Sequence, residues 1–199
     1  MPAALCDPHE QEAAWRLALD HFHGREINLR EHFATVTDWL LIGPFASDAT
    51  LSAHHTVFPP EQSLDLRAEC DGMNGKVRWQ EHHQSGPNAS VDFKKVFQPT
   101  EHVCAYALCF VTSIEQEAQL RFASNDAGKV WLGGKLVHDY PHEGSTFLDR
   151  DIVPVRLPKG ATPLLLKVTN NLGNWGFVLR FTDKQGRPLR NLKFGLSPG

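Results

Sequence analysis

From about Thr35 onward the hydrophobic residues of this chain follow the two-residue period of a β-strand, and the helical period does not return. AQLRFAS sets Leu120 and Phe122 against Gln119 and Arg121, and WGFVLRFTD sets Phe177, Leu179 and Phe181 against Val178, Arg180 and Thr182. DIVPVRL aligns Val153, Val155 and Leu157, with Pro154 marking an edge strand or a bulge because proline cannot donate to the ladder. PLLLKVTN aligns Leu164, Leu166 and Val168. KVWL and KLVHDY are separated by Gly133-Gly134 alone, a pair that accepts the positive φ values of a tight primed turn. KVRWQEHH, Lys76 to His83, alternates Val77, Trp79 and Glu81 with Arg78, Gln80 and His82 and reads as one more strand. Two stretches differ. TDWLLIGPF, expected to end at Gly43-Pro44, and Val103 to Val111 are apolar on both faces, as strands buried between layers are. Between them Ala46 to Asn74 is irregular, with Pro59-Pro60 and Asp71-Gly72 as turn signals. Strands of five to nine residues punctuated by Gly, Pro, Asn and Asp are the pattern of an all-β sandwich.

The start of the chain is helical instead. Asp7 is a cap, Pro8 suits the first turn and Glu10 completes a capping box. Trp15, Ala18, Leu19 and Phe22 then form one stripe expected to be buried, and Gly24 ends the helix. The expected organisation is a helical lead-in over residues 1–34 and a β-sandwich over residues 35–199. A chain of 199 residues buries enough surface to need neither a disulfide nor a metal. Cys104 and Cys109 lie an odd number of residues apart on one strand, about 17 Å at strand rise and on opposite faces, so they cannot pair with each other. A bridge from Cys70 to one of them stays open, and Cys6 stands apart.

The motifs resemble a known family. LRFASNDAGKVWLGGKLV, Leu120 to Val137, resembles a signature of galactose-binding-like jelly rolls, including the sugar-binding domain of β-galactosidase-type glycosidases. PVRLPKGATPLLLKVTNNLGNWGFVLRF, Pro154 to Phe181, is similar to that family's ending. Trp39 to Phe45 and Phe58 to Glu61 resemble the opening of related modules in large multidomain bacterial proteins. The resemblance implies a jelly-roll β-sandwich, carbohydrate-binding or accessory function more than catalysis, and an extracytoplasmic location if the chain is an excised module. The chain departs from the pattern at Gly133, where Asn is usual in the turn, at Ala161-Thr162-Pro163, and at Ala127, where a second acidic residue is frequent.

Several function classes lose support from the residues themselves. Lys and Arg number 20 and Asp and Glu 23, so the basic stripe of a nucleic-acid binder is missing. No apolar run approaches the length of a membrane helix, and MPAALCDPHEQE has neither region of a signal peptide. No GxSxG, HExxH, P-loop or GxGxxG occurs, and no carboxylate pair is marked as acid and base. A non-catalytic role is therefore expected. The pairs His54-His55 and His82-His83 point to opposite faces of a strand and cannot chelate one ion. His138, Asp139, His142 and Glu143 form the one local cluster dense enough for zinc or nickel. No cofactor is expected, with calcium left open by Asn125, Asp126, Asp149 and Asp151 at strand ends and loops.

A sugar site needs an aromatic platform beside groups that bond hydroxyls. Trp15, Trp39 and Trp79 are claimed by apolar faces, while Trp131 is either packed in a second layer or exposed. Trp175 sits in the polar loop NNLGNWGF, either exposed as a platform or folded back over one end of the sandwich, with Asn170, Asn171 and Asn174 beside it; Asn125 and Asp126 join them as ligand-binding candidates. The leading expectation is a glycan-binding module. The alternatives are a structural module that packs on a neighbouring catalytic domain and a metal-dependent enzyme built on the histidines.

Overall fold

The computed structural model describes Ala18, residues 20–25, 28–86 and 88–198. Of the expected first helix, Ala18, Asp20, His21 and Phe22 are helical, and Gly24 ends it at φ +69° with its N–H on His21 O at 3.0 Å. Asp7, Pro8, Glu10, Trp15 and Leu19 lie outside the described residues. Phe22, expected on a buried stripe, is 84% exposed and meets His23 edge-on, and Ala18 is exposed too. A periodic stripe says which residues share a face, not what covers it. A second helix, α1 (Leu29–Phe33), was not signalled by period; Asn28 caps it by accepting from Glu31 N at 3.1 Å. It is too short to show a repeating stripe. Among the described residues no helix is long and apolar enough to cross a membrane.

The rest is an antiparallel β-sandwich. Its larger sheet runs in the order β4 (Gln80–His83), β1 (Asp38–Ala46), β6 (Val103–Ser113), β11 (Gly160–Asn170), β8 (Ala127–Leu132) and β9 (Lys135–Tyr140), and β13 (Lys193–Gly195) pairs with the far part of β6. The smaller sheet runs β10 (Asp151–Leu157), β7 (Gln116–Asn125), β12 (Gly176–Thr182) and β5 (Val91–Asp92). Between the sheets lie Leu164, Leu166 and Val168 of β11, Leu120 and Phe122 of β7, and Phe177, Leu179 and Phe181 of β12, which are the inward faces that alternation assigned. β10, with its Pro154, is an edge strand as expected. The β8–β9 hairpin turns on Gly133 and Gly134 at φ +59° and +78°.

β6 is the central strand its two apolar faces promised. Val103, Ala105, Ala107, Cys109 and Val111 face the inter-sheet core, while Cys104, Tyr106, Leu108 and Phe110 face a second cluster. Cys104 and Cys109 therefore do point to opposite faces. Both are free, as is Cys70, which removes the bridge left open from Cys70. Burial pushes the Cys104 thiol up to about 12, so it is inert packing.

The second cluster exists because residues 47–79 fold back over the outer face of the larger sheet. The 3-10 turn Ser52–His54, the helix α2 (Pro59–Gln62) and the hairpin of β2 (Cys70–Gly72) with β3 (Gly75–Val77) carry this cover. Ala53, Phe58, Leu66, Cys70, Val77 and Trp79 pack on Leu40, Ile42, Phe45, Tyr106 and Leu108. Three local expectations change here. Pro59-Pro60 opens a helix, where the missing N–H groups have no intrahelical bond to make, rather than a turn. Lys76 to His83 is split between β3 and β4, because Val77 and Trp79 serve the cover while Gln80–His83 pair with β1. β1 does not end at Gly43-Pro44 but continues to Ala46 through a bulge between Ile42 and Phe45. Gly43 is required at that crossing, since a Cβ there would lie 2.8 Å from Ala105 Cβ.

Candidate functional site

One end of the sandwich gathers the loops at which β7 ends, β8 begins, β11 ends and β12 begins. Asp126 is their tie. Its Oδ1 accepts the N–H of Gly144 at 3.3 Å and its Oδ2 that of Asn171 at 3.0 Å, while its own N–H donates to Thr169 O at 3.1 Å. Asn125 Nδ2 donates to Gly144 O at 2.6 Å, and Asn171 Nδ2 to Glu143 Oε1 at 2.7 Å. Asn170 is fully buried and donates from Nδ2 to Thr100 O at 2.7 Å. The Oδ1 atoms of Asn170 and Asn171 are buried and accept no hydrogen bond from the described residues. Segments far apart in sequence are thereby held in one arrangement by charge-assisted and amide hydrogen bonds.

Beside this tie is a shallow depression of about 160 Å³, lined by Ser90, Asp92, Asn125, Thr146, Asn174 and Trp175. Of the six residues expected to bind ligand, Asn125, Asn174 and Trp175 line it directly, and Asp126 and Asn171 brace the loops around it. Asn170 is turned inward. Trp175 does not stand exposed. Only 1% of it is accessible, its ring packs against Phe93 and Phe97 with centroids 5.1 and 5.7 Å away, and Nε1 donates to Val168 O at 3.3 Å. The polar letters around it marked a loop correctly, but a tryptophan at the mouth of an aromatic core gains more by burial than by exposure. Leu172 stands exposed on the same loop instead.

Ser90, Asp92 and Thr146 were not singled out from the sequence. They reach the depression through the pairing of β5 with β12, Gly176 opposite Asp92, and through the long connection between β9 and β10. A two-residue strand leaves no periodic signal. Of the other tryptophans, Trp39 is fully buried and donates to Val36 O at 3.1 Å, Trp79 is half-buried under the cover, and Trp131 is partly exposed on the outer face of β8. A larger hollow, about 560 Å³, runs between the edges of β9 and β10 and has no aromatic residue in its lining.

The clustered histidines and carboxylates disperse. His138 Nε2 lies 3.0 Å from Asp151 Oδ2, Asp139 Oδ1 lies 2.7 Å from His54 Nε2, and Glu143 is taken by Asn171. Asp149 binds Arg121 and Arg180, and Asp151 also binds Arg150. Burial raises the Asp149 carboxyl, yet the two guanidinium groups outweigh it and hold the group below its usual range. Among the described residues no three His, Cys, Asp or Glu side chains converge as a metal would require. Asn125, Asp126, Asp149 and Asp151 thus do not form one donor set, and Asp126 already spends both oxygens on backbone N–H groups.

No protein-family model matches the chain, and no curated protein matches it. Among solved structures it is similar to a PA14 sugar-binding domain from an RTX adhesin, at 11% identity and a TM-score of 0.46 over 82% of this chain and 100% of that one. It is also similar to an anti-sigma factor domain-containing protein, at 14% identity and a TM-score of 0.44 over 81% of this chain and 46% of that one. A β-glucosidase from Kluyveromyces marxianus gives 11% identity and a TM-score of 0.46 over 72% of this chain and 16% of that one. The chain thus spans under half of the anti-sigma protein and a small part of the glucosidase.

Proposed function

We propose that this chain is a non-catalytic carbohydrate-binding module of galactose-binding-like jelly-roll type, which binds a glycan at the loop end of the sandwich. The observation that carries the reading is the depression itself: amide and hydroxyl side chains from separate loops, Asn125, Asn174, Thr146 and Ser90, are gathered around one small concavity. Such groups both donate and accept, as sugar hydroxyls require. The Asp126 tie fixes the loops before a ligand arrives, which lowers the ordering cost of binding. Asp92 is the single carboxylate among the lining residues, whereas glycoside hydrolysis uses a facing pair. The site uses no cation, and residues 1–34 serve as a lead-in to the module.

The test is a glycan array probed with the wild type, Asn174→Ala and Asn125→Ala, each with calcium and with a chelator. Asn174 is exposed, so its truncation leaves the fold intact and is expected to weaken glycan binding by roughly tenfold. Trp175→Ala is unsuited to the purpose, because it opens the core. Silence of the folded wild type across the array overturns the reading in favour of a module that packs on a partner domain, and binding that vanishes with the chelator overturns the cation-free site.

A further inference from the structure

On the outer face of the larger sheet, strand register lays two rows of side chains next to each other. One row is polar: Tyr106, Lys167, Lys129 and Asp139 are successive cross-strand partners on β6, β11, β8 and β9. The neighbouring row is apolar: Leu40, Leu108, Leu165, Trp131 and Leu136 follow one another from β1 to β9. The cover of residues 47–79 buries Leu40, Leu108 and Leu165, then gives out beyond α2. Trp131 is left partly exposed and Leu136 is 43% exposed. Between α2 and strands β8 and β11 a cleft of about 220 Å³ remains, lined by Pro60, Glu61, Ser63, Leu64, Trp131 and Leu165 among others.

Glu61 gives this cleft a directed polar group. Its Oε1 accepts from Lys167 Nζ at 2.7 Å, from Tyr106 Oη at 2.5 Å and, more weakly, from Phe58 N at 3.5 Å. Lys167 is fully buried and also donates to Thr56 O at 2.6 Å. All three of these bonds to Glu61 fall on Oε1. Oε2 takes none of them, and Glu61 is one of the residues that line the cleft. The charge behind it is already balanced by Lys167, so a cation gains little there and an anion meets a carboxylate. What the cleft favours is a neutral ligand with a flat apolar face for the indole and hydroxyl donors at its edge. A pyranose ring has that combination.

Resting on the carbohydrate reading above, we infer that this cleft is a second saccharide-binding site, on the sheet face rather than the loops, with a sugar ring seated on Trp131 and a hydroxyl donating to Glu61. The sequence left Trp131 either packed in a second layer or exposed, and Glu61 entered only as the last residue of the segment Phe58 to Glu61.

The test is an NMR titration of the ¹⁵N-labelled full chain with glucose, galactose, mannose, xylose, cellobiose, maltose and lactose. The Trp131 indole N–H is assigned by its disappearance in Trp131→Phe. At least one of these sugars is expected to move that resonance. The affinity, read in every variant from the backbone amide resonances of Leu64, Gly134 and Leu165 around the cleft, should fall roughly tenfold or more in Trp131→Ala, fall less in Trp131→Phe, and stay unchanged in Asn174→Ala. A Trp131 resonance that stays still while a sugar binds in an Asn174-dependent way overturns the cleft and leaves the loop site standing. No binding of any of these sugars by the titration, together with silence on the array, overturns both. The wild-type resonance decides the matter even if Trp131→Ala fails to fold.

Discussion

The two faces of β11 are packed by different physics. Toward the smaller sheet Leu164, Leu166 and Val168 are fully buried among aliphatic and aromatic neighbours, and nothing there is directional. Toward the cover, Leu165 alternates with Lys167, whose ammonium is fully buried against the 11%-exposed Glu61 side chain. Burial pulls the lysine below its ordinary range, and the hydrogen bond it donates to Glu61 opposes that shift. Tyr106 is raised by the same burial. The inner face tolerates any well-fitting hydrophobe, whereas the outer face demands one placement of α2, the placement in which Glu61 and Thr56 O both meet Lys167. Non-directional burial makes a layer stable; the buried pair makes the cover's position specific.

That contrast breaks most sharply at Lys167. Lys167→Met leaves Glu61 with a buried, uncompensated charge and is expected to cost about 3–5 kcal/mol by urea unfolding. Adding Glu61→Leu should recover most of the loss, because a well-packed apolar pair of similar volume is often as stable as the ions it replaces. On the inner face Leu166→Ala should cost about 2–5 kcal/mol through lost burial and the cavity it leaves, and no second substitution in the cover should restore it. A double variant no more stable than Lys167→Met alone would show that the outer face depends on shape, as the inner one does, and not on the pair.

The inner face was legible in the sequence and the outer one was half legible, for the same reason. Period-2 alternation names the face of Leu120, Phe122, Phe177, Leu179 and Phe181 because one sheet packs on another across the whole strand. A strand apolar on both faces, such as Val103 to Val111, announces a second layer without saying what forms it. Residues 47–79 supply that layer with short elements, and short elements carry no period. The same limit applies at the loops. Asn125, Asn174 and Trp175 come together at one depression, but the side chains that complete it come from a two-residue strand and a long connection. Whether a loop tryptophan faces solvent depends on neighbours such as Phe93 and Phe97, which are 82 and 78 positions earlier and invisible to local reading.

A smaller effect separates the two faces by acidity. The inner face holds the Cys109 thiol, which burial pushes well up, whereas the cover buries His54 completely, with Nε2 on Asp139 and Nδ1 unpartnered. Burial holds its imidazolium form below the usual 6.5; Lys129 and His55 act in the same direction, and Asp139 opposes them. The unfolded chain therefore takes up its proton at a higher pH than the fold does. Stability due to neutral His54 is complete above pH 6.5 and is lost as the pH falls below it. Replacing it in His54→Gln is expected to flatten the decline of unfolding free energy between pH 6.5 and 5, by at most about 1.4 kcal/mol per pH unit, the limit for one proton. His82 shifts in the same direction and exposed His83 in the opposite one, so the difference between variant and wild type is the quantity to measure. An unchanged slope would mean that the cover opens before His54 is protonated.

The weakest expected effect lies where the cover has given out, at the β8–β9 turn. Gly133 holds φ +59°, the left-handed region that Asn tolerates better than other residues with a side chain, and a Cβ there would meet only Thr162 Cγ2 at 3.4 Å. Gly133→Asn makes the turn Asn-Gly, the favoured pair for this geometry, and narrows the unfolded ensemble. The change should stabilise the chain by less than about 1 kcal/mol, read as a small rise in the urea midpoint at constant slope. Gly134 at φ +78° keeps its glycine and bears the second positive φ alone. A loss of stability in Gly133→Asn would mean that Thr162 cannot yield the few tenths of an ångström the new side chain asks for, and would show that close packing reaches this turn even though neither layer covers it.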